Sequence, residues 1–174
     1  MSNARDIYIG KIVHLTAEDV VLPNGHRMEL EIIRHPGASA IVPLTDEGDV
    51  IFLRQYRHAA GGFIYEIPAG KLDKGEPPED CARRELTEEA GVTATRMTLL
   101  ASIVTAPGFA DEIIHLFLAE GLRPAETAHE ASEVITLHRR PIGECLAMIA
   151  RGEIVDAKTI CALFLADRLI RERA

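Results

Sequence analysis

The stretch that most constrains this chain is a short predicted helix within residues 70–92, GKLDKGEPPEDCARRELTEEAGV. Pro77 and Pro78 fit only the first turn of a helix, where a missing N–H removes no intrahelical hydrogen bond. Gly91 stands where a left-handed C-terminal cap is expected. The helix is therefore predicted to begin at the proline pair and to end just before Gly91.

Three glutamates of this helix are spaced so that they project from the same face. Glu85, Glu88 and Glu89 stand at i, i+3 and i+4. At about 4 Å and an effective dielectric near 20, each such pair repels by roughly 4 kcal/mol, so solvent or cations must screen the face. A hard divalent ion such as Mg²⁺ takes oxygen ligands of this kind. A solvated acidic face is the ordinary alternative for such a charge run.

The same stretch carries a longer spaced pattern. Gly70 is followed after five residues by Glu76, and after seven more by Arg84-Glu85-Leu86-x-Glu88-Glu89-x-Gly91-Val92. This arrangement resembles the Nudix box at every fixed position. The resemblance implies a loop–helix–loop that holds divalent cations, and hydrolysis of a nucleoside diphosphate linked to a second moiety.

Composition limits the class of protein and its partners. The 174 residues are 47% hydrophobic and 26% charged, which suits one globular domain with an appended region. The net charge of -8 argues against a nucleic-acid partner. No apolar run approaches the roughly 20 residues that span a bilayer, and no secretory signal is recognised, so a cytoplasmic location is predicted. The cysteines are expected to be reduced packing residues rather than a disulfide framework or a zinc site: Cys81, Cys145 and Cys161.

Residues 1–37 are predicted to form an N-terminal antiparallel β region that ends at the His35-Pro36-Gly37 break. Asn24-Gly25 predicts a two-residue hairpin turn. A lone hairpin is not stable in water, so its apolar side chains need a surface to pack on, and a homodimer is expected. Those side chains alternate with glutamates after the turn and are Met28, Leu30 and Ile32.

Residues 38–174 are predicted to form the Nudix hydrolase domain. Apolar, β-branched runs separated by turn residues lie between helical segments, which favours an α/β fold with a mixed sheet between helical layers, a Nudix-type α/β/α sandwich. The polar stretch 121–131 is interpreted as a surface loop. Asp156 is expected to cap the last helix, whose predicted buried residues are Ile160, Leu163, Phe164 and Ile170.

Three features outside the box resemble the ADP-ribose pyrophosphatase branch. Glu66-Ile67-Pro68-Ala69-Gly70 leads into the box, Pro107 follows Val92 by fifteen positions, and Arg54-Gln55-Tyr56-Arg57 ends a predicted strand. The resemblance implies Mg²⁺-dependent cleavage of ADP-ribose to AMP and ribose 5-phosphate, with Mn²⁺ as a substitute metal. The alternative substrate is GDP-mannose or another nucleoside diphosphate sugar. A non-catalytic nucleotide-sensing module is the third interpretation, but such modules usually lack box carboxylates, and none is missing here.

The resemblance also assigns roles within the box. Glu85 and Glu89, with Glu88 and the backbone carbonyl of Ala69, are expected to bind the metal. The bound ions neutralise and orient the diphosphate and lower the pKa of a water for in-line attack. Arg84 is expected to steady the carboxylates by ion pairing, or to be an ordinary surface arginine.

The expected substrate contacts lie outside the box. Arg57 is predicted to grip phosphate or ribose, because its planar fork matches such oxygens. Glu66 is predicted to pair with Arg54 or Arg57, either at the substrate or as a purely structural ion pair. Base stacking needs an aromatic face, for which Tyr8 and Phe109 are the candidates, with plain packing as the alternative.

Acidic residues outside the box are assigned by their place in the chain. Glu112 follows the Pro107 loop, where it is placed to contact a ribose hydroxyl, a third metal or the turn itself. In the branch resembled, the general base is a glutamate on the loop before a late strand. Glu133 is the first candidate for this role, Glu130 the second and Glu126 the third.

Overall fold

The computed structural model of the protein describes residues 3–128 and 134–173. Among these residues no helix is both long enough and apolar enough to cross a membrane. The helices are α1 (Pro78–Ala90), α2 (Ile142–Ala150) and α3 (Ala157–Arg173). The strands are β1 (Asn3–Ile9), β2 (His14–Val21), β3 (Arg27–Arg34), β4 (Ala38–Pro43), β5 (Asp49–Arg57), β6 (Gly62–Glu66), β7 (Ala69–Lys71), β8 (Val92–Val104), β9 (Ile113–Pro124) and β10 (Ile135–Pro141).

The N-terminal strands form an antiparallel sheet of their own, in the order β1-β2-β3. The turn between β2 and β3 differs from the predicted two-residue hairpin. The Leu22 N–H donates to the His26 carbonyl at 2.8 Å, and the Gly25 N–H donates to the Leu22 carbonyl at 2.8 Å. Gly25 is left-handed, with φ +84°. The loop therefore has three residues, because Pro23 suits the first position of a type I turn and Gly25 supplies the left-handed position after it.

Two further sheets form the centre of the protein. One is antiparallel, in the order β10-β5-β6, and the other is mixed, in the order β7-β4-β9-β8, with β4 and β9 parallel. Side chains alternate across β4: Ile41 packs with the cluster under α1, whereas Ala40 and Val42 pack with the cluster under α2 and α3. Helices therefore cover both faces, which confirms the predicted α/β/α sandwich with a mixed sheet.

Helix α1 has the predicted ends. Pro78 is its first residue, and Gly91 caps it with φ +63° and an N–H that donates to the Thr87 carbonyl. One side of the helix is apolar and buried against the central sheets through Ala82, Leu86 and Ala90. This packing turns the glutamate face toward β7.

Two predictions about the second half of the chain are wrong. Residues 121–124 belong to β9 rather than to a loop, because the antiparallel pairing of β8 with β9 continues to Val92↔Pro124, and an antiparallel pair tolerates polar side chains on a solvent-facing side. Phe164 is 52% exposed rather than buried. The buried residues of α3 are Thr159, Ala162, Leu163 and Ala166, and the last three pack in the core cluster under α2 and α3. Asp156 accepts the Thr159 N–H, as expected of a helix cap. All three cysteines have free thiols.

The N-terminal sheet is attached to the loop before β9. The Ile33 N–H donates to the Phe109 carbonyl at 2.8 Å, and the Asp111 N–H donates to the Ile33 carbonyl at 3.2 Å. Arg34 forms ion pairs with both Glu18 and Asp111. These contacts connect the N-terminal sheet to the rest of the protein.

Candidate active site

The first wall of the site is strand β7, a three-residue strand that pairs with β4 through Ala40↔Ala69 and Ser39↔Gly70. Gly70 lies directly against Glu85. A Cβ built on residue 70 would lie 1.8 Å from Glu85 Oε1 and 2.0 Å from the carboxyl carbon. Only a glycine can occupy position 70 while this carboxylate keeps its place.

The second wall is the glutamate face of α1. Glu85 and Glu89 are buried, and Glu89 accepts a hydrogen bond from the Ala69 N–H at 2.8 Å. The side chain of Glu88 is 41% exposed. Together with strand β7 these residues enclose a polar cavity of about 320 Å³, which we call the carboxylate cavity. Its lining comprises Ala69, Gly70, Lys71, Arg84, Glu85, Glu88, Glu89 and Ala128.

Arg84 is the positive centre of this cavity. Its Nε and Nη2 each lie 3.0 Å from an oxygen of Glu76, while Nη1 lies 2.5 Å from Glu85 and 3.3 Å from Glu88. The hydrogen bond from Arg84 lowers the pKa of Glu76 to about 2, and the Asp73 backbone N–H adds to this effect. The pKa of Arg84 is raised in turn. The guanidinium thus offsets the repulsion among the carboxylates.

The residues present fit a divalent cation. The side-chain donors of the cavity are carboxylate oxygens, the ligand type that Mg²⁺ prefers. Because Gly70 has no side chain, the Glu85 carboxylate can lie directly beside strand β7 in the cavity lining. Across the described ranges, 3–128 and 134–173, no three acidic, histidine or cysteine side chains already converge as metal ligands. The Arg84 guanidinium forms ion pairs with Glu85 and Glu88 and so offsets part of their negative charge, as a bound cation would also do.

A second cluster of charges adjoins the cavity. Arg57 grips Glu66 side-on, with Nε at 2.7 Å and Nη2 at 3.1 Å, and Lys158 Nζ lies 2.5 Å from Glu66 Oε2. Burial alone would raise the pKa of Glu66, but the hydrogen bond from Arg57 and the charge of Lys158 hold it below its usual range. Sequence reasoning missed Lys158, because its partner is 92 positions away along the chain.

Arg54 does not pair with Glu66, contrary to one of the two predicted pairings. In the β5–β6 ladder Arg54 is opposite Tyr65, whereas Glu66 is opposite Leu53. Neighbouring residues of a strand point to opposite faces, so Arg54 and Glu66 lie on different sides of the sheet. The Arg54 guanidinium instead lies 4.5 Å from the ring centre of Phe63.

The other predicted substrate residues do not line the carboxylate cavity. Tyr8 lies on β1, and Phe109 lies on the loop between β8 and β9; both are exposed. Glu112 accepts a hydrogen bond from Thr105 at 2.6 Å and lies 3.4 Å from His35. Glu112 thus stabilises its own loop, which was one of the roles considered for it.

The first two candidates for the general base, Glu133 and Glu130, lie outside the described residues. The third, Glu126, is exposed and lines a neighbouring cavity with Gly91 and Arg139 rather than the carboxylate cavity. Ala128, two residues later, donates its N–H to the Glu88 carbonyl at 2.9 Å. The chain therefore reaches the edge of the carboxylate cavity at residue 128.

The NUDIX domain family matches residues 34–162 of the chain. The chain belongs to the Nudix family. An ADP-ribose pyrophosphatase of Bacillus subtilis (strain 168) is 45% identical over 159 residues, which cover 90% of this chain and 86% of that protein. A GDP-mannose pyrophosphatase of Cronobacter sakazakii (strain ATCC BAA-894) is 32% identical over 154 residues, which cover 79% of this chain and 80% of that protein.

A crystal structure described as an ADP compounds hydrolase shares the Nudix fold of this chain. The TM-score is 0.88, at 24% sequence identity, over 99% of this chain and 94% of that chain. The predicted resemblance to the Nudix family, and within it to the ADP-ribose pyrophosphatase branch, is thereby confirmed. The chain is a Nudix hydrolase, and the Nudix box coincides with the carboxylate cavity.

Proposed function

We propose that this Nudix hydrolase is a Mg²⁺-dependent pyrophosphatase that cleaves ADP-ribose to AMP and ribose 5-phosphate, with Mn²⁺ as a substitute metal. The observation that carries the proposal is the carboxylate cavity, where Glu85, Glu88 and Glu89 meet strand β7 beside Gly70. The choice of substrate is supported by the Bacillus subtilis relative, which is named an ADP-ribose pyrophosphatase.

In this proposal the box residues hold the metal and Arg57 holds the substrate. Glu85, Glu89 and Glu88, with the backbone of Ala69, are the metal-binding groups. The ions would neutralise the diphosphate and activate a water for in-line attack on phosphorus. Arg57 is partly exposed and already oriented by Glu66, so it can contact phosphate oxygens from outside the cavity.

Glu133 is the proposed general base, and Glu130 is the second candidate. The proposal is supported by contacts of Ala128 and Val134, the described residues on either side of 129–133. Ala128 is hydrogen-bonded to the Glu88 carbonyl, and the Val134 carbonyl accepts the Tyr56 N–H at 3.1 Å. Ala128 thus lies beside α1, and Val134 lies beside the end of β5, next to Arg57.

A homodimer formed through the N-terminal sheet is a further part of the proposal. The sheet leaves large apolar side chains exposed that a second copy would cover, among them Ile7, Ile9 and Met28. Tyr8 and Phe109 stay candidates for contact with the adenine base, because both aromatic faces are accessible. The cytoplasmic location stays a prediction from the sequence.

GDP-mannose is the second candidate substrate, favoured by the Cronobacter sakazakii relative that is named a GDP-mannose pyrophosphatase. The metal cavity would serve either reaction, because both substrates present a diphosphate to it. Selectivity must therefore come from groups that contact the nucleoside and the sugar.

A panel of nucleoside diphosphate sugars incubated with purified protein and Mg²⁺ tests the substrate. ADP-ribose is expected to give AMP and ribose 5-phosphate with the highest kcat/KM, and chelation of divalent ions is expected to stop the reaction. A panel member cleaved a hundredfold faster than ADP-ribose would overturn the choice of substrate. Turnover that is indifferent to chelation would overturn the role of the cavity.

A further inference from the structure

A buried network connects Arg57 to the first turn of α3. The Glu66 side chain is only 3% exposed, and it receives two cations, Arg57 and Lys158. The Lys158 side chain is 14% exposed and that of Arg57 is 45% exposed. Of the two cations on this carboxylate, Arg57 is therefore the one that can also reach a ligand, and Lys158 is the one held inside.

The first turn of α3 holds Lys158 in place. Asp156 accepts hydrogen bonds from the Thr159 N–H at 3.0 Å and the Thr159 hydroxyl at 2.6 Å, and it pairs with Lys158 Nζ at 3.1 Å. Thr159 Oγ1 also accepts the Ile67 N–H at 3.0 Å. Lys158 and Thr159, at the start of α3, therefore bind Glu66 and Ile67. These two residues lie just before Ala69, which lines the carboxylate cavity.

The segment leads directly to the metal-binding residues. Glu66 and Ile67 are followed after Pro68 by Ala69, whose N–H donates to Glu89. Arg57 is hydrogen-bonded to Glu66, three positions before Ala69. The Arg57 guanidinium is therefore anchored to the segment that forms the wall of the carboxylate cavity.

Glu66 has two cationic partners, and one of them, Lys158, also pairs with Asp156, so Lys158 links Glu66 to the first turn of α3. Arg57 uses Nε and Nη2 on Glu66. If Glu66 had no other partner, only the partly exposed Arg57 side chain would hold its carboxylate in place. Lys158, which pairs with Asp156, contacts Glu66 Oε2 from helix α3, whereas Arg57 contacts Glu66 from strand β5.

We propose that Lys158 is a positioning residue for substrate binding: it fixes Glu66, and Glu66 fixes the Arg57 guanidinium where the diphosphate of the substrate binds. The inference rests on the proposed function to the extent that Arg57 contacts this diphosphate. Lys158 itself makes no contact with substrate in this arrangement. Its effect is expected in the affinity for the diphosphate rather than in the chemical step.

A double-mutant cycle between Lys158→Met and Arg57→Ala tests the inference, with KM and kcat for ADP-ribose and the Kd for ADP without turnover as readouts. Lys158→Met is expected to raise KM and Kd about tenfold, since hydrogen bonds to charged groups carry this much, with kcat little changed. In the Arg57→Ala background the same change is expected to have less than about a twofold effect, because the two residues act in series. Lys158→Arg is expected to restore most of the affinity, because a guanidinium also donates to both carboxylates.

Two results would overturn the inference. One is additivity, in which Lys158→Met weakens ADP binding equally with and without Arg57. The other is a Lys158→Met protein with a lowered Tm but an unchanged KM and Kd, which would make the network purely structural. Lys11→Met, an exposed lysine in the N-terminal region, is the matched control and is expected to bind ADP as wild type does.

The failure of the proposed substrate would be seen separately. If wild-type protein cleaves another nucleoside diphosphate sugar instead of ADP-ribose, the substrate assignment is wrong, and the same cycle run on that sugar decides the role of Lys158. If it cleaves none, the ADP binding cycle decides alone.

Discussion

The carboxylate of Glu85 fills the place of a side chain at Gly70, so that a Cβ at residue 70 would be 1.8 Å from Oε1. This contact joins the short strand β7 to the acidic face of α1. It explains in physical terms why a box that needs a buried carboxylate also needs a glycine fifteen positions earlier along the chain. The contact is the basis of the first prediction.

Gly70→Ala is expected to displace Glu85 from the carboxylate cavity. The folding free energy is expected to change little, because the atoms in the way are the far end of a flexible side chain, whereas a misplacement near 1 Å at a reacting centre costs about 100-fold in rate. Steady-state kinetics and thermal unfolding measure the two effects. Gly143→Ala in α2 is the matched control, because an added Cβ there meets nothing within 4 Å. Full activity of Gly70→Ala would show that displacement of Glu85 does not reduce catalysis, which would contradict the prediction.

Glu89→Gln is expected to abolish turnover while leaving the fold intact. The amide oxygen can still accept the Ala69 N–H, but the charge that attracts a cation is gone. The loss should exceed about 100-fold, since even partners of metal ligands cost 10–100-fold. Glu79→Gln, on the exposed side of α1 and paired with Arg83, is the control. A Glu89→Gln protein that unfolds near room temperature would show a structural role instead.

Glu76 should make the protein less stable in acid. Its pKa is lowered from 4.5 to about 2 by Arg84 in the folded state. Between these values the unfolded chain binds more protons, so stability rises with pH. The contribution is complete above pH 4.5 and is lost as pH falls through about 2.

Glu76→Gln removes this titration, so the slope of Tm against pH below 4.5 is expected to become shallower than in wild type. Thermal unfolding followed at a series of acidic pH values measures the slope. Glu172→Gln, which removes an exposed i,i+4 partner of Arg168 on α3, is expected to keep the wild-type slope. Identical slopes for wild type and Glu76→Gln would contradict the assigned pairing with Arg84.

The N-terminal sheet is expected to hold two copies of the chain together. Ile9→Asp places a charge on an exposed apolar side chain of β1 and should convert dimer to monomer. Light scattering at micromolar concentration gives the molar mass. Val155→Asp, on an equally accessible side chain outside this sheet, should leave the dimer intact. Wild-type protein with the mass of one chain would contradict the proposal.

Much of the fold could be predicted because local physics decided it. The proline pair and Gly91 mark the ends of α1 with or without the rest of the protein. The i, i+3, i+4 spacing of the glutamates sets their shared face, and the β-branched runs between turns become the central strands. Each of these signals lies within a few residues along the chain.

The predictions that were wrong depended on which surface an element meets. Phe164 and Leu163 are both apolar, but α3 packs on the core through Ala162, Leu163 and Ala166, which leaves Phe164 on the exposed side of the helix. Arg54 and Arg57 were equivalent partners for Glu66 in the sequence. The register of β5 against β6 separates them onto opposite faces.

The acidic helix, its ends and the spaced pattern of the Nudix box follow from local sequence signals, because helical periodicity and caps act over one or two turns. The contacts of Glu85 with Gly70 and of Lys158 with Glu66 depend on the tertiary fold. Such contacts join residues far apart in the chain, and their geometry follows from how sheets and helices pack rather than from any local preference.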